Sequence, residues 1–348
     1  MDGVRILAAL GVTAYHFVGW DGGLWFGGPP FEGTPQGCGA AVGLFGVDIF
    51  FVISGVVIPM ALGGKTPGSF VTARIVRLFP AYWFAVLAGA AIYRILGYTG
   101  PSLGDVLVNL TMMQSAAGVG DVFASQWTLW AELRFYLIAA GLCAVGMTSG
   151  RLVALAALWA PAAALCDRTG SSLVSELLVA PYSPLFAGGL AIYGLAKWGL
   201  KASSFWLVLA ENAAFAAAWT GPARARALAS GTGGAVELNS TQVTLCVVAC
   251  FATVLFGALA RLPRRWESAL TVAAKPTYCL YLIHLPLGLL IISWTSPHLN
   301  PTTVISLAFL SSAAIATAMY RLIERPGSTL LRRALSEKSR SCVSTSAA

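Results

Sequence analysis

What most constrains this chain is that stretches of about 20 mostly apolar residues, the length a helix needs to cross a bilayer, recur from one end to the other. Hydrophobic residues make up 57% of the 348 and charged residues only 10%, where a soluble domain has about 45–50% and about 25%. No polar block is large enough for a separate soluble domain. The first apolar run starts at Val4 and carries Tyr15 and His16, with no small-residue cleavage site leading into a soluble mature chain. It therefore reads as a retained span and not as a signal peptide. The expected fold class is all-α, a polytopic transmembrane helical bundle.

Apolar runs bounded by charge, Pro or Gly clusters predict ten spans, at about 4–20, 38–62, 76–97, 127–147, 152–166, 182–196, 203–219, 242–260, 277–294 and 302–322. With the N-terminus cytoplasmic, seventeen Lys/Arg fall inside, from Arg5 to Arg340; Arg94, Arg168, Arg224 and Arg226 fall outside, and Arg134 lies within the fourth span. That bias sets the expected topology, with both N- and C-termini cytoplasmic in a multi-pass protein of the inner or plasma membrane. The segments 21–37, 100–125 and 221–240 read as loops, the second partly re-entrant and lining a cavity, where irregular backbone at membrane depth is tolerated. Residues 1–335 form one expected membrane domain, and 336–348 an expected disordered cytoplasmic tail.

The net charge of +8 is carried mostly by short segments between apolar runs, so the basic residues read as topology determinants and no nucleic-acid partner is expected. The seven cysteines lie mostly within apolar runs, without a Cys-x-x-Cys pair. They read as small hydrophobes, and no metal site is expected.

Ionisable groups inside spans are costly, so each is a candidate site residue weighed against pairing or snorkelling. Arg5 and His16 are eleven positions apart, which on a helix is three turns plus about 20°, with His16 about 16 Å deeper on the same face. Imidazole alone has an unperturbed pKa suited to base catalysis near neutral pH. Two roles are open to Asp48 in the second span: orienting His16, or locking two helices together. Arg74 and Arg77 share a helix face at the start of the third span and suit phosphate recognition as well as anchoring. Glu132 lies more than a turn inside the fourth span, behind Trp127 and Trp130, and reads as a catalytic or substrate-binding carboxylate; Arg134, two residues on, does not share its face. For His284 the favoured reading is structural, its ring satisfying a backbone carbonyl freed by Pro286.

Taken in order, several segments resemble the acyltransferase family 3 membrane proteins, which O-acylate sugars, lipids and secondary metabolites. They are Asp2 to His16 with its Arg and His eleven apart, Asp48 to Gly55, Arg74/Arg77 before Pro80-Ala81-Tyr82-Trp83, Trp127 to Tyr136, Tyr281 to Pro286, and Tyr320 to Pro326. One departure is that Leu133 follows Glu132 where family members often carry a second acid. The resemblance implies an acyl-CoA donor, acetyl-CoA by default, on the cytoplasmic side, and an acceptor hydroxyl on a sugar, lipid or metabolite. Arg74 and Arg77 would hold the nucleotide phosphates, with Arg5 flanking them. His16 would act as general base, the preferred chemistry, or as an acyl-carrying nucleophile, with Glu132 or Asp48 orienting its ring. The rival from another class is a proton-coupled transporter or flippase. Membrane lipids are expected partners, and oligomeric state is not legible in the sequence.

Overall fold

The computed structural model describes residues 1–345, with side chains through Leu335. The tail expected over 336–348 lies outside the residues whose side chains are described. Among the described residues every regular element is helical. Helix α1 (Asp2–Ala14) continues into a π-turn (Tyr15–Gly19). After a loop, α2 (Pro35–Ala41) passes through one 3₁₀ turn into α3 (Gly46–Leu62). Helix α4 (Pro67–Ile95), the short α5 (Leu103–Asn109), α6 (Trp127–Val145), α7 (Ser149–Arg168) and the short α8 (Ser172–Leu177) follow. Then come α9 (Ser183–Trp198) and α10 (Ser203–Phe215), which runs through a second π-turn into α11 (Gly221–Gly231). Helices α12 (Ser240–Leu259), α13 (Arg264–Ala274), α14 (Thr277–Thr295) and α15 (Pro301–Met319) complete the bundle, and a third π-turn (Tyr320–Glu324) leads into α16 (Arg325–Thr345).

Seven of these helical stretches are long and apolar enough to cross a membrane: Pro35–Leu62, Pro67–Ile95, Trp127–Val145, Ser149–Arg168, Ser240–Leu259, Thr277–Thr295 and Pro301–Leu335. Each coincides with an expected span. The first, sixth and seventh expected spans fall on helices at 2–19, 183–198 and 203–231 that are not among the seven. Large apolar side chains such as Leu7, Leu207, Phe256 and Leu310 are exposed on the outside of the bundle, as a lipid-facing surface requires.

Helix α9 is buried on every side from Ser183 to Leu195 and forms the central post of one half of the molecule. Its contact with α3 is backbone to backbone. A Cβ on Gly55 would stand 2.2 Å from the Phe186 carbonyl oxygen, and one on Gly189 would stand 2.3 Å from that of Val52. Small residues allow such an approach in lipid, where helices associate by packing and not by exclusion of water. The α1–α3 contact works in the same way, since a Cβ on Gly46 would stand 2.6 Å from the Ala8 carbonyl oxygen. Phe186 then packs at a tilt 4.7 Å from Phe51 and 4.6 Å from Phe135, each such pair adding about 0.5–1.5 kcal/mol beyond its burial.

Two expected loops are more ordered than their composition indicates. The 221–240 segment is not all loop: α11 occupies its first half, because Pro222 is tolerated in a first helical turn and Arg224 finds a buried partner. The 100–125 segment holds α5, whose N-terminus is closed by a capping box between Ser102 and Asp105. Hydrogen bonds from Ser102 hold the Asp105 carboxyl below its usual range. Beyond α5, buried Asn109 binds the backbone at both ends of the turn, donating to the Asp105 carbonyl at 2.9 Å and the Gly120 carbonyl at 3.0 Å and accepting from the Val122 amide at 3.2 Å. One side chain thus supplies the bonds that water would give an exposed loop.

Candidate active site

Arg5, Arg74 and Arg77, widely separated in sequence, line one cavity of about 550 Å³, and Glu132 lines it with them. Lys275, Arg325 and Arg332 add three further cations, contributed by the link between α13 and α14 and by α16. The acids on its wall are Asp2, Glu132 and Glu324, so positive charge predominates. Helix α4 presents its two arginines because its N-terminus is fixed by a Thr66/Ser69 capping box and residues three apart share a face. The Arg74 guanidinium lies over the rings of Phe70 at 5.6 Å and Tyr136 at 5.9 Å, which orients the cation without neutralising it. Its Nε has no hydrogen-bond partner, and neither Arg74 nor Arg77 forms an ion pair among the described residues. Among the described residues Arg5 forms an ion pair only with Asp2, at 3.4 Å.

Glu132 belongs to this cavity. Its Oε1 accepts from the Tyr136 hydroxyl at 2.5 Å and from Ser54 Oγ at 3.3 Å. Glu324, in the third π-turn, accepts from the Cys279 thiol at 3.0 Å. Neither carboxylate is hydrogen-bonded to His16.

What His16 meets is a second histidine. His284 Nε2 lies 3.0 Å from His16 Nδ1, with ring centroids 5.0 Å apart. The surrounding carbonyls assign the protons. His284 Nδ1 faces the carbonyls of Tyr281 at 2.8 Å and Leu280 at 3.1 Å; a carbonyl only accepts, so this nitrogen carries the hydrogen. In the neutral ring the Nε2 of His284 is then an acceptor. His16 Nδ1 faces that acceptor and the Val12 carbonyl at 2.9 Å, so it too is protonated. The lone pair of neutral His16 is left on Nε2, the nitrogen that faces neither His284 nor Val12. The edge of the ring packs at 5.1 Å against Trp20. His16 reaches this position from the π-turn Tyr15–Gly19, and such single-turn widenings are frequent at functional sites.

Two of the sequence expectations are corrected by this arrangement. Asp48 does not touch His16: its Oδ1 accepts a hydrogen bond from Arg224 Nε at 2.7 Å and lies at ion-pair distance, 2.7 Å, from Nη2, with both side chains buried. The Arg224 guanidinium is covered by the rings of Tyr182 at 4.7 Å and Trp127 at 5.3 Å. Arg224, placed in an outer loop by the apolar pattern, is thus interior, and Asp48 takes the helix-locking role. The ring of His16 is oriented by His284, not by Glu132 or Asp48. His284 in turn bonds the Leu280 and Tyr281 carbonyls and not that of Leu282, which Pro286 deprives of its amide partner. Arg134 faces away from Glu132, as its spacing predicts, and pairs at 3.1 Å with Glu176 of α8.

His284 was the residue of this candidate site hardest to see in the sequence. Its signal was position: Thr277, Tyr278 and Tyr281 line the cavity on α14, and His284 continues that face one turn on. Glu324, Arg325 and Arg332 had weaker signals, since the chain after the last span read as anchoring.

The fold and site define a polytopic helical membrane protein in which a buried histidine pair lies beyond an arginine-lined cavity. The chain belongs to the acyltransferase 3 family, whose model, described as an acyltransferase domain, matches residues 1–321. Among curated relatives, the exopolysaccharide production protein ExoZ of Rhizobium meliloti (strain 1021) is 32% identical over 108 residues, 29% of this chain and 34% of that protein. Protein 2 in picA locus of Rhizobium radiobacter is 34% identical over 99 residues, 27% of this chain and 44% of that protein. The matched regions thus span less than half the length of either relative. No solved structure matches the chain.

Proposed function

We propose that this acyltransferase moves an acyl group, acetyl in the first instance, from acyl-CoA to a hydroxyl of a sugar, glycolipid or secondary metabolite, with His16 as general base. The observation that carries this reading is an imidazole whose lone pair is directed to Nε2 by backbone carbonyls and a second histidine, at the end of a helix face that lines an arginine-rich cavity. The cavity fits the donor's chemistry. Guanidinium groups bind phosphate oxygens in pairs, and about 550 Å³ falls within the range of about 300–1,000 Å³ typical of small-molecule pockets. Arg74 and Arg77 hold the nucleotide phosphates, with Arg5, Lys275, Arg325 and Arg332 around them. The bound donor supplies a thioester.

His16 Nε2 takes the proton of the acceptor hydroxyl as that oxygen bonds to the acyl carbon. The imidazolium so formed is held through its Nδ1–H by His284. When the carbon–sulfur bond breaks, His16 returns the proton to the departing thiolate, and the enzyme ends as it began. The excess of Lys/Arg at the arginine end of the bundle supports a cytoplasmic donor side in the inner or plasma membrane. A relative named for exopolysaccharide production favours a sugar hydroxyl as acceptor. The test is transfer of labelled acetyl from acetyl-CoA to surface polysaccharide by purified protein in nanodiscs. Wild type should label the polysaccharide and His16→Ala should not, and full labelling by the variant would sink the assignment.

A further inference from the structure

The cavity stops short of the histidines. On α14 its wall is Thr277, Tyr278 and Tyr281, yet His284, one turn further along, is fully buried and lines none of it. Tyr281 belongs to both places: it lines the cavity, and its ring is 5.8 Å from the His284 ring and packed edge to face at 5.8 Å against Phe50. Phe50 and Thr128 line the cavity beside it. The ring is held at its far end: the Tyr281 hydroxyl lies 2.7 Å from Thr128 Oγ1 and 2.9 Å from the Ser125 carbonyl. At its near end the Tyr281 main-chain carbonyl receives the His284 Nδ1–H. The same residue therefore lines the cavity and fixes the tautomer of the histidine beside His16.

We infer that Tyr281, with Phe50 against it, sets the length of acyl group this enzyme transfers. The inference rests on the acyl-CoA reading above. A thioester delivered from the arginine-lined cavity to His16 must pass the Tyr281 ring, so the room beside that ring, and not the volume of the cavity, limits the chain. A two-carbon group passes, and a longer one meets the Tyr281 and Phe50 rings. The hydroxyl latch to Thr128 and Ser125 keeps the ring from yielding, which is why a long chain is refused and not merely slowed by a rotamer change.

The experiment compares wild type, Tyr281→Ala, Phe50→Ala and the ring-preserving Tyr281→Phe on acetyl-, butyryl- and hexanoyl-CoA, measuring CoA release in the presence of extracted exopolysaccharide. Binding of free CoA by calorimetry is measured for each as the check on folding. The reading is the ratio of kcat/KM for hexanoyl-CoA to that for acetyl-CoA. One excluded methylene is worth about tenfold or more in such a ratio, so Tyr281→Ala should raise it by at least that, Phe50→Ala by less, and Tyr281→Phe least. An unchanged ratio in alanine variants that still bind CoA overturns the proposal. Should Tyr281→Ala bind no CoA, Phe50→Ala decides alone. Absence of CoA binding by wild type is a different result, which overturns the donor reading and this inference with it.

Discussion

The His16–His284 pair and the Asp48–Arg224 pair are both buried polar contacts between helices distant in sequence, yet they leave different things unsatisfied. In the first, every hydrogen is assigned by a carbonyl or a ring nitrogen, and one basic nitrogen remains without a proton. In the second, a carboxylate and a guanidinium neutralise each other and two aromatic rings cover the cation. A pair with spare basicity can do chemistry, and a pair whose opposite charges cancel holds helices together, even with Asp48 Oδ2 lacking a hydrogen-bond partner. The same contrast separates the arginines. Arg74 and Arg77 have no ion-pair partner among the described residues and face a cavity, whereas Arg134 and Arg224 are paired in the interior.

The sharpest way to break the comparison is to remove the spare nitrogen. His16→Ala should lower acyl transfer by about 10²–10⁴-fold, the usual worth of a general base, with a smaller loss of thermal midpoint than the buried ion pair gives. Asp48→Ala should do the reverse, leaving a buried guanidinium unpaired at a cost of about 3–5 kcal/mol of stability, read as a lower midpoint and poor yield. Replacing both partners with apolar residues, Asp48→Leu with Arg224→Met, should restore much of that loss; a double variant as unstable as the single one would show that the pair does more than lock helices. His284→Ala should then reduce turnover by about a hundredfold, the scale of a misplaced catalytic group, with CoA binding retained. Arg74→Ala should have the smallest effect, weakening CoA binding by about 10- to 100-fold through loss of a charge-assisted hydrogen bond worth about 1.5–3 kcal/mol. Calorimetry measures it, and an unchanged Kd would remove the arginines from the donor site.

Much of the site was legible because lipid makes ionisable residues conspicuous. His16, Glu132, Arg74 and Arg77 stood out in apolar surroundings, and the spacing of Arg5 and His16 gave depth along one helix. Partners were less legible. Asp48 and Arg224 are 176 positions apart, and no helical periodicity links them. His284 could be read as a satisfied core residue until His16 was found beside it. The third π-turn, which brings Glu324 to the cavity, is equally silent in the sequence, since one extra residue in a helical turn leaves no compositional trace.

The sequence by itself determined the solvent, the helical class and the family, because an apolar backbone in lipid must bond to itself and because ordered motifs survive without coordinates. It also determined that His16 is placed expensively. Only the tertiary structure decided which group the imidazole faces. Neither carboxylate is bonded to it, one being spent on Arg224 and the other held by Tyr136 and Ser54. A second histidine takes the orienting place, and backbone carbonyls that no sequence pattern displays leave His16 Nε2 as its basic nitrogen.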